Sequence, residues 1–292
     1  MAQWIYLNGE FVSKDEAKVS VYDHGFLYGD GIFEGIRIYN GNIFKCNEHL
    51  QRLYDSAKSI MLDIPLTLPE MQDVLVESVR RNGLRDGYIR LVVSRGPGDL
   101  GLDPRRSPKA SVIVIVEQLA IYPAEAYVNG LKIVSVSTRR NIPDALNPKI
   151  KSLNYLNNIM VKIQANLAGV GEALMLNAQG YVAEGSGDNI FIVKNGVLTT
   201  PPCYIGALEG ITRAAIMEIC EKIGYKVKEE PFTLHDVYVA EEVFLTGTAA
   251  EVIAVREVDA RIIGEGKAGP ITTRLLNEFR SIVELDGVKV TY

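Results

Sequence analysis

The chain opens on short apolar runs broken by Asn-Gly pairs. Residues 4–7, 11–12, 35–39 and 43–45 form the runs, with Asn8-Gly9 and Asn40-Gly41 closing two of the gaps. Asn-Gly accepts the positive φ of a tight turn at low steric cost, so this pattern predicts strands paired as hairpins. At Asn47, a candidate N-cap, the period changes: Leu50, Leu53, Ala57, Ile60 and Met61 recur at helical spacing. A second helix is predicted over residues 69–82, with Pro69 near its start and Gly83 at its stop. Apolar strands follow at 88–94 and 111–118. Between them residues 95–109, rich in Gly, Pro and Arg, predict a long polar loop of the kind that often carries function.

Residues 120–130 lack clear periodicity and are assigned to an interdomain connection. Beyond them the pattern predicts strands at 131–137, 172–176, 181–182, 190–193, 197–199, 226–231, 242–246 and 252–258, and helices at 154–169, 211–224 and 272–285. Many short strands with separate helices, rather than a regular βαβ alternation, indicate an α+β fold. At roughly 150 residues per domain, a chain of 292 suits two domains. The expected division is 1–120, a connection at 121–130, and 131–292.

Composition narrows the class. Hydrophobic residues at 47% and charged residues at 23% are ordinary for a folded globular protein. A formal charge of −5 has the wrong sign for a chain that neutralises phosphates along nucleic acid. Three cysteines, Cys46, Cys203 and Cys220, are an odd number without a C-x-x-C pair, which argues against a secreted disulfide framework and leaves them packing roles. The first residues lack the basic n-region of a signal peptide, and no apolar run approaches the ~18 residues of a membrane span. The expectation is a cytoplasmic protein without nucleic-acid or membrane partners.

Several familiar signatures fail on context. Gly96-Pro-Gly98-Asp-Leu-Gly101 matches G-x-G-x-x-G after a strand, but the following Leu-Asp-Pro-Arg-Arg-Ser-Pro cannot open the helix that a dinucleotide pyrophosphate needs. An NAD oxidoreductase is therefore disfavoured. Gly185-Ser186-Gly187 is not a nucleophile elbow, and His24, His49 and His235 are each assigned structural roles. Cys46 and His49 have C-x-x-H spacing without a companion pair, so no metal site is expected.

Other segments are individually bland: a tight turn at Glu184-Gly-Ser-Gly-Asp-Asn189, a helix start at Gly210-Ile-Thr-Arg213, a strand end at Thr246-Gly-Thr248-Ala-Ala250, an exposed helical Arg52, one lysine among many at 151. Their order is the signal. Glu48-His-Leu-Gln-Arg52-Leu53, Lys151-Ser-Leu-Asn-Tyr155-Leu-Asn-Asn158, Glu184 to Phe191, Leu208-Glu-Gly-Ile211-Thr212-Arg213 and Thr246 to Glu251, with the opening Tyr28-Gly-Asp-Gly-Ile-Phe33-Glu34-Gly35-Ile-Arg37, together resemble the class IV (fold type IV) pyridoxal-phosphate aminotransferases. The resemblance covers about residues 4–280. It implies a two-domain fold, a smaller N-terminal α/β domain and a larger C-terminal pseudo-barrel, with the site in the cleft and a homodimer completing it.

The resemblance also implies roles, each with a chemical reason. Pyridoxal 5′-phosphate supplies an electron sink, so the protein must provide an amine, a phosphate cradle and a partner for the ring nitrogen. Lys151 is the implied amine, which also carries the proton between substrate Cα and the coenzyme's C4′. Lys149 competes with it; Lys151 is favoured because Tyr155, implied to hold the phenolic oxygen, lies at i+4, on the same face if a helix begins that early. Glu184 is the ring-nitrogen partner. Ile211 and Thr212 at a helix N-terminus, with Arg52 and Thr248, hold the phosphate. Leu208 packs on the ring.

On the substrate side, Tyr88-Ile-Arg90 resembles the branched-chain aminotransferases of this family. Tyr88 and Arg90 then line a pocket shared by an aliphatic side chain and the glutamate side-chain carboxylate. Tyr28, Phe33 and Tyr155 form apolar walls, and backbone N–H groups at Thr248 and Ala249 bind the α-carboxylate. Apolar pockets discriminate by only about 1 to 3 kcal/mol per methylene, so leucine, isoleucine and valine are all expected donors to 2-oxoglutarate. Residues 91–97 and Lys151-Ser-Leu-Asn154 also resemble D-amino-acid aminotransferases, and aminodeoxychorismate lyase shares the coenzyme; a coenzyme-binding protein without turnover is the further alternative.

Overall fold

The computed structural model describes residues 3–119 and 122–292, which fall into two compact units. Unit 1 runs to Leu119 and adds Ile150–Asn154 and Ile282–Tyr292; unit 2 comprises 122–149 and Tyr155–Ser281. The boundary expected at 120–121 lies outside the described residues.

Unit 1 contains β1 (Trp4–Leu7), β2 (Glu10–Ser13), α1 (His24–Tyr28), β3 (Gly31–Tyr39), β4 (Asn42–Phe44), α2 (Cys46–Ser59), α3 (Leu68–Asn82), β5 (Gly87–Ser94) and β6 (Ser111–Glu117). With the chain's last strand, Gly287–Lys289, these form a seven-stranded antiparallel sheet in the order last strand, β4, β3, β5, β6, β1, β2. The alternation of a strand's side chains decides what each face carries. Ile32, Ile36 and Ile38 of β3 and Ile89, Leu91 and Val93 of β5 are buried with Leu50 and Leu53 of α2 and Leu75 of α3. Tyr88 and Arg90 occupy the intervening β5 positions and are half-buried. The loop 95–109 carries only a 3-10 turn, Pro104–Arg106.

The start of α2 departs from expectation. Its N-cap is Lys45, at φ 49°, not Asn47. The chain leaves β4 and turns directly into the helix, and Lys45 Nζ is held by Asp286 at 2.8 Å and Glu48 at 3.3 Å.

Unit 2 contains α4 (Ala124–Asn129), β7 (Leu131–Ser135), α5 (Leu156–Leu167), β8 (Glu172–Leu176), β9 (Val182–Gly185), β10 (Asn189–Lys194), β11 (Val197–Thr200), α6 (Ile211–Ile223), β12 (Lys226–Glu229), α7 (Leu234–Tyr238), β13 (Glu242–Gly247), β14 (Glu251–Val258), β15 (Arg261–Ile262) and α8 (Pro270–Ile282). Its nine-stranded sheet runs β12, β11, β10, β13, β14, β7, β8, β9, with β15 on β14. It is mixed: β12 pairs parallel with β11, and β7 parallel with both β14 and β8. Phe191 of β10 and Phe244 of β13 are cross-strand partners, stacked at 5.0 Å between centroids. Residues 124–129 of the expected connection form α4. The short helices α1, α4 and α7 escaped the pattern because one to two turns show too little of a 3.6-residue period. The three cysteines are buried free thiols, and among the described residues no helix is long and apolar enough to cross a membrane.

The N-terminus of α3 is closed by a capping box in which Thr67 and Glu70 satisfy each other's backbone N–H groups. Thr67→Ala is expected to cost about 1 kcal/mol, read as a lower urea midpoint at unchanged m-value.

Candidate active site

On β3, Glu34 lies on the same side as Ile32 and Ile36, and there it meets α2. His49 and Arg52, three residues apart, stand on one helical face. Arg52 grips the Glu34 carboxylate with two bonds, Nε to Oε1 at 2.7 Å and one Nη to Oε2 at 2.8 Å. His49 Nδ1 lies 2.7 Å from Oε2. Burial by itself would raise the Glu34 pKa, but the Arg52 charge and the hydrogen bonds of Arg52 and His49 outweigh it and hold the carboxyl well below its usual range. Burial lowers the His49 pKa despite the Glu34 carboxylate, so the imidazole is neutral at pH 7. One guanidinium edge of Arg52 is thus committed to Glu34.

The odd positions of β3 carry different chemistry. Gly35 pairs with Arg90 and Arg37 with Tyr88 in register. The Arg90 guanidinium lies 4.6 Å from the Phe33 ring centroid and 5.5 Å from that of Tyr88. Lys151 Nζ lies 4.7 Å from the same Phe33 ring. Phe33 is therefore an aromatic wall bearing an amine and a guanidinium.

Lys151 is not helical. Its carbonyl accepts from Phe33 N–H at 2.9 Å, Leu153 N–H donates to Gly31 O at 2.9 Å, and Ile32 and Ser152 form an antiparallel bridge. Residues 151–153 thus extend beside β3, and α5 begins only at Leu156. The shared helical face of Lys151 and Tyr155 is overturned, because pairing with β3 occupies the backbone groups a helix would need. Lys149 is separated from Lys151 by a different criterion. Its Nζ is 2.6 Å from Glu209, and this hydrogen bond raises its pKa, keeping it a committed cation. Tyr28 ends α1, edge-on to His24 at 5.1 Å. Its turn is tied to the Lys151 segment by Asn154 Nδ2 donating to Gly29 O at 2.8 Å.

In unit 2 three of the sequence motifs meet. A Cβ on Gly210 would stand 1.9 Å from Asn189 Oδ1, and one on Gly247 would stand 1.9 Å from Asp188 Oδ1. A side chain at either position would push these polar groups aside, so the glycines allow the close approach of the β9–β10 turn, the start of α6 and the β13–β14 turn. Gly210 is the N-cap of α6, with no side-chain hydrogen bond capping it, and Ile211 and buried Thr212 form the first turn. Thr248 and Ala249 lie in the β13–β14 turn. Thr246 Oγ1, buried at that end of β13, has no hydrogen-bond partner among the described residues. Glu184, 5% exposed, accepts on Oε2 from Leu208 N–H at 2.8 Å and Asn189 Nδ2 at 3.3 Å. Its Oε1 is 2.8 Å from Arg140 Nε. Tyr155 is half-buried just before α5.

The expected residues therefore gather in two groups: Phe33, Arg52, Tyr88, Arg90 and Lys151 in unit 1, and Glu184, Leu208, Ile211, Thr212, Thr248 and Ala249 in unit 2. Sequence reasoning missed the Glu34 clamp and Arg140. A lone acidic residue in an apolar strand, spaced from a helical His-x-x-Arg, was the available sign of the first. Arg140, one of two arginines after a strand, gave none.

The Amino-transferase class IV family model matches residues 31–258. The chain belongs to the class IV aminotransferases, and the α+β, fold type IV class is borne out. A Methanocaldococcus jannaschii protein, provisionally named a branched-chain-amino-acid aminotransferase, is 55% identical over 286 residues, covering 98% of each chain. The crystal structure of the Escherichia coli branched-chain amino acid aminotransferase matches with a TM-score of 0.95 at 36% identity, covering 99% of this chain and 97% of that one. The T.th. branched-chain amino acid aminotransferase complexed with N-(5′-phosphopyridoxyl)-L-glutamate matches with a TM-score of 0.91 at 39% identity, covering 97% and 95%.

Glu34→Ala leaves Arg52 facing an apolar gap and is expected to cost about 3 to 5 kcal/mol of unfolding free energy at pH 7. Because the folded-state pKa of Glu34 is depressed, its contribution is fully present above the ordinary carboxylate range, begins to fall as pH enters that range, and is gone only below the depressed folded-state pKa. Urea unfolding between pH 7 and pH 3 should therefore show a smaller acid-induced loss in Glu34→Gln than in wild type.

Proposed function

We propose that this class IV aminotransferase uses pyridoxal 5′-phosphate to move the amino group of leucine, isoleucine or valine to 2-oxoglutarate, giving branched 2-oxo acids and L-glutamate. The observation that carries the substrate choice is the Phe33 wall, with Lys151 Nζ at 4.7 Å and the Arg90 guanidinium at 4.6 Å. The aromatic surface receives an aliphatic side chain, and the Arg90 guanidinium pairs with the side-chain carboxylate of glutamate. The names of the relatives and the phosphopyridoxyl-glutamate complex of a similar protein support the same choice.

The residues within each unit suit the parts of the coenzyme they would hold. A 13-residue helix with an N-cap glycine suits its phosphate, through backbone N–H groups, the positive dipole end and the Thr212 hydroxyl. Arg52, oriented by Glu34, adds a cation, and Thr248 a further donor. Bound there, the coenzyme supplies the electron sink for the substrate Cα. Lys151 Nζ would be the amine that holds it and would move the proton at substrate Cα. Glu184, a buried carboxylate with fixed donors on both oxygens, keeps a proton on the ring nitrogen and so sustains electron withdrawal. Tyr155 holds the phenolic oxygen, Leu208 packs on the ring, and Thr248 and Ala249 bind the α-carboxylate, while Tyr28, Phe33 and Tyr88 line the apolar pocket.

A homodimer is part of the proposal. Leu156, Ile159, Met160, Ile163 and Leu167 make an exposed apolar stripe along α5 at helical spacing, a face suited to a second copy. Buried free thiols accord with a cytoplasmic setting.

Three outcomes are expected. Lys151→Ala should abolish transamination while circular dichroism stays unchanged, and borohydride reduction of the wild-type holoenzyme should fix the coenzyme on Lys151; label on Lys149 would contradict the assignment. Steady-state assays should show turnover with L-leucine and not with D-alanine or aminodeoxychorismate. Ile159→Glu with Ile163→Glu should turn the dimer into monomer by light scattering, and an intact dimer would exclude α5 from the interface.

A further inference from the structure

We propose that Arg140 is a positioning residue for the reaction: its guanidinium holds Oε1 and so aims the Glu184 carboxylate at the ring nitrogen. This rests on Glu184 being the ring-nitrogen partner. Arg140 lies in the loop after β7, is 6% exposed, and its backbone N–H donates to Leu176 O at 2.9 Å at the end of β8. The side chain reaches three elements. Nε lies 2.8 Å from Glu184 Oε1 and 3.2 Å from Gly206 O, and Nη1 donates to Asn158 Oδ1 at 3.1 Å. Asn158 Nδ2 then donates to Ser186 O at 2.8 Å, two residues beyond Glu184.

The contacts close a ring, Glu184 to Arg140 to Asn158 to Ser186, around the end of β9. On the other oxygen, Leu208 N–H and Asn189 Nδ2 complete the grip. A carboxylate held on both oxygens by fixed donors cannot turn away, and a cation alongside compensates its burial. Without Arg140, Oε1 loses its fixed donor and the carboxylate is free to turn away from the ring nitrogen. The nitrogen then becomes neutral and its electron withdrawal falls. Gly206 O ties the same guanidinium to the segment leading into α6, so Arg140 links the ring-nitrogen partner to the approach of the phosphate helix.

The test uses holoenzyme loaded with coenzyme labelled with 15N at the ring nitrogen. In Arg140→Met the 15N resonance should move toward the unprotonated position. Its kcat should fall roughly 10- to 100-fold while KM for L-leucine stays within about threefold. Arg140→Lys should keep the wild-type resonance and lose only a few-fold in kcat, because it restores charge without the fork. In a Glu184→Gln background neither substitution should slow the enzyme further. A wild-type resonance and rate in Arg140→Met overturn the proposal, as does an equal loss in the Glu184→Gln background, which marks a merely structural arginine. If Arg140→Met does not fold, Arg140→Lys decides: a rate equal to wild type, or a loss that persists without Glu184, is fatal. Failure of the underlying role looks different, since Glu184→Gln alone would then leave both resonance and kcat unchanged.

Discussion

A carboxylate taken out of water needs fixed partners to replace its hydration, and in each of the two groups of candidate residues a buried carboxylate is held by an arginine. Glu34 in unit 1 is fully buried and carries Arg52 in two-pronged contact. Glu184 in unit 2 is buried with Arg140. Each is costly to place, because desolvation opposes the charged form, and each is stable only while its donors stay where they are. That is also why such pairs specify geometry. An aliphatic pair of equal volume would fill the space at either place, but it would leave the neighbouring groups free to shift. The fixed donors make Arg52 and Glu184 rigid side chains, as a site for a small charged molecule requires.

The two-residue period of a strand then separates structural from chemical roles. Along β3, Ile32, Glu34, Ile36 and Ile38 alternate with Phe33, Gly35 and Arg37. The even set makes the core with α2 and holds the Arg52 clamp, while the odd set presents the Phe33 wall beside Arg90 and Lys151. A shift of one residue in the pairing of β3 with β5 would exchange the two sets. It would bury Arg37 among isoleucines and expose the Arg52 clamp, so the core itself enforces the register on which the site depends.

Much of this was legible in the sequence. Asn-Gly turns, Pro69 and Gly83 marked element ends, because turn and cap geometry is local chemistry. The five ordered motifs identified the class because each encodes a residue type that one coenzyme chemistry demands. The failures share a cause: they concern backbone paired with something distant. The i to i+4 spacing of Lys151 and Tyr155 gives one helical face only if the helix begins early, and Lys151 is instead extended because Gly31 and Phe33 offer it a strand edge. Asn47 has the better capping side chain, yet β4 runs so directly into α2 that Lys45 takes the corner. His49 was read as structural, and its imidazole is indeed buried, but against the carboxylate that orients Arg52. Arg140 was invisible because nothing near it in the chain names its partner, 44 residues on by numbering.

The placement of Arg90 also accounts for how one pocket can serve two unlike substrates under the proposed function. A guanidinium in an apolar pocket without a carboxylate would be left poorly solvated whenever an aliphatic side chain is bound. Here its charge lies against the faces of Phe33 and Tyr88, at 4.6 and 5.5 Å. Aromatic faces compensate a weakly hydrated planar cation by about 0.5 to 2 kcal/mol, which lets Arg90 remain in place as an apolar surface for leucine. Under that proposal the same group would offer its donor edge to the glutamate side-chain carboxylate, with the rings remaining as packing. A lysine at this position, compact and strongly hydrated, would favour water over the aromatic faces and would spoil the aliphatic state while still serving the anionic one. Under the proposed function, dual recognition would therefore rest on the residue being arginine and on the two rings that flank it.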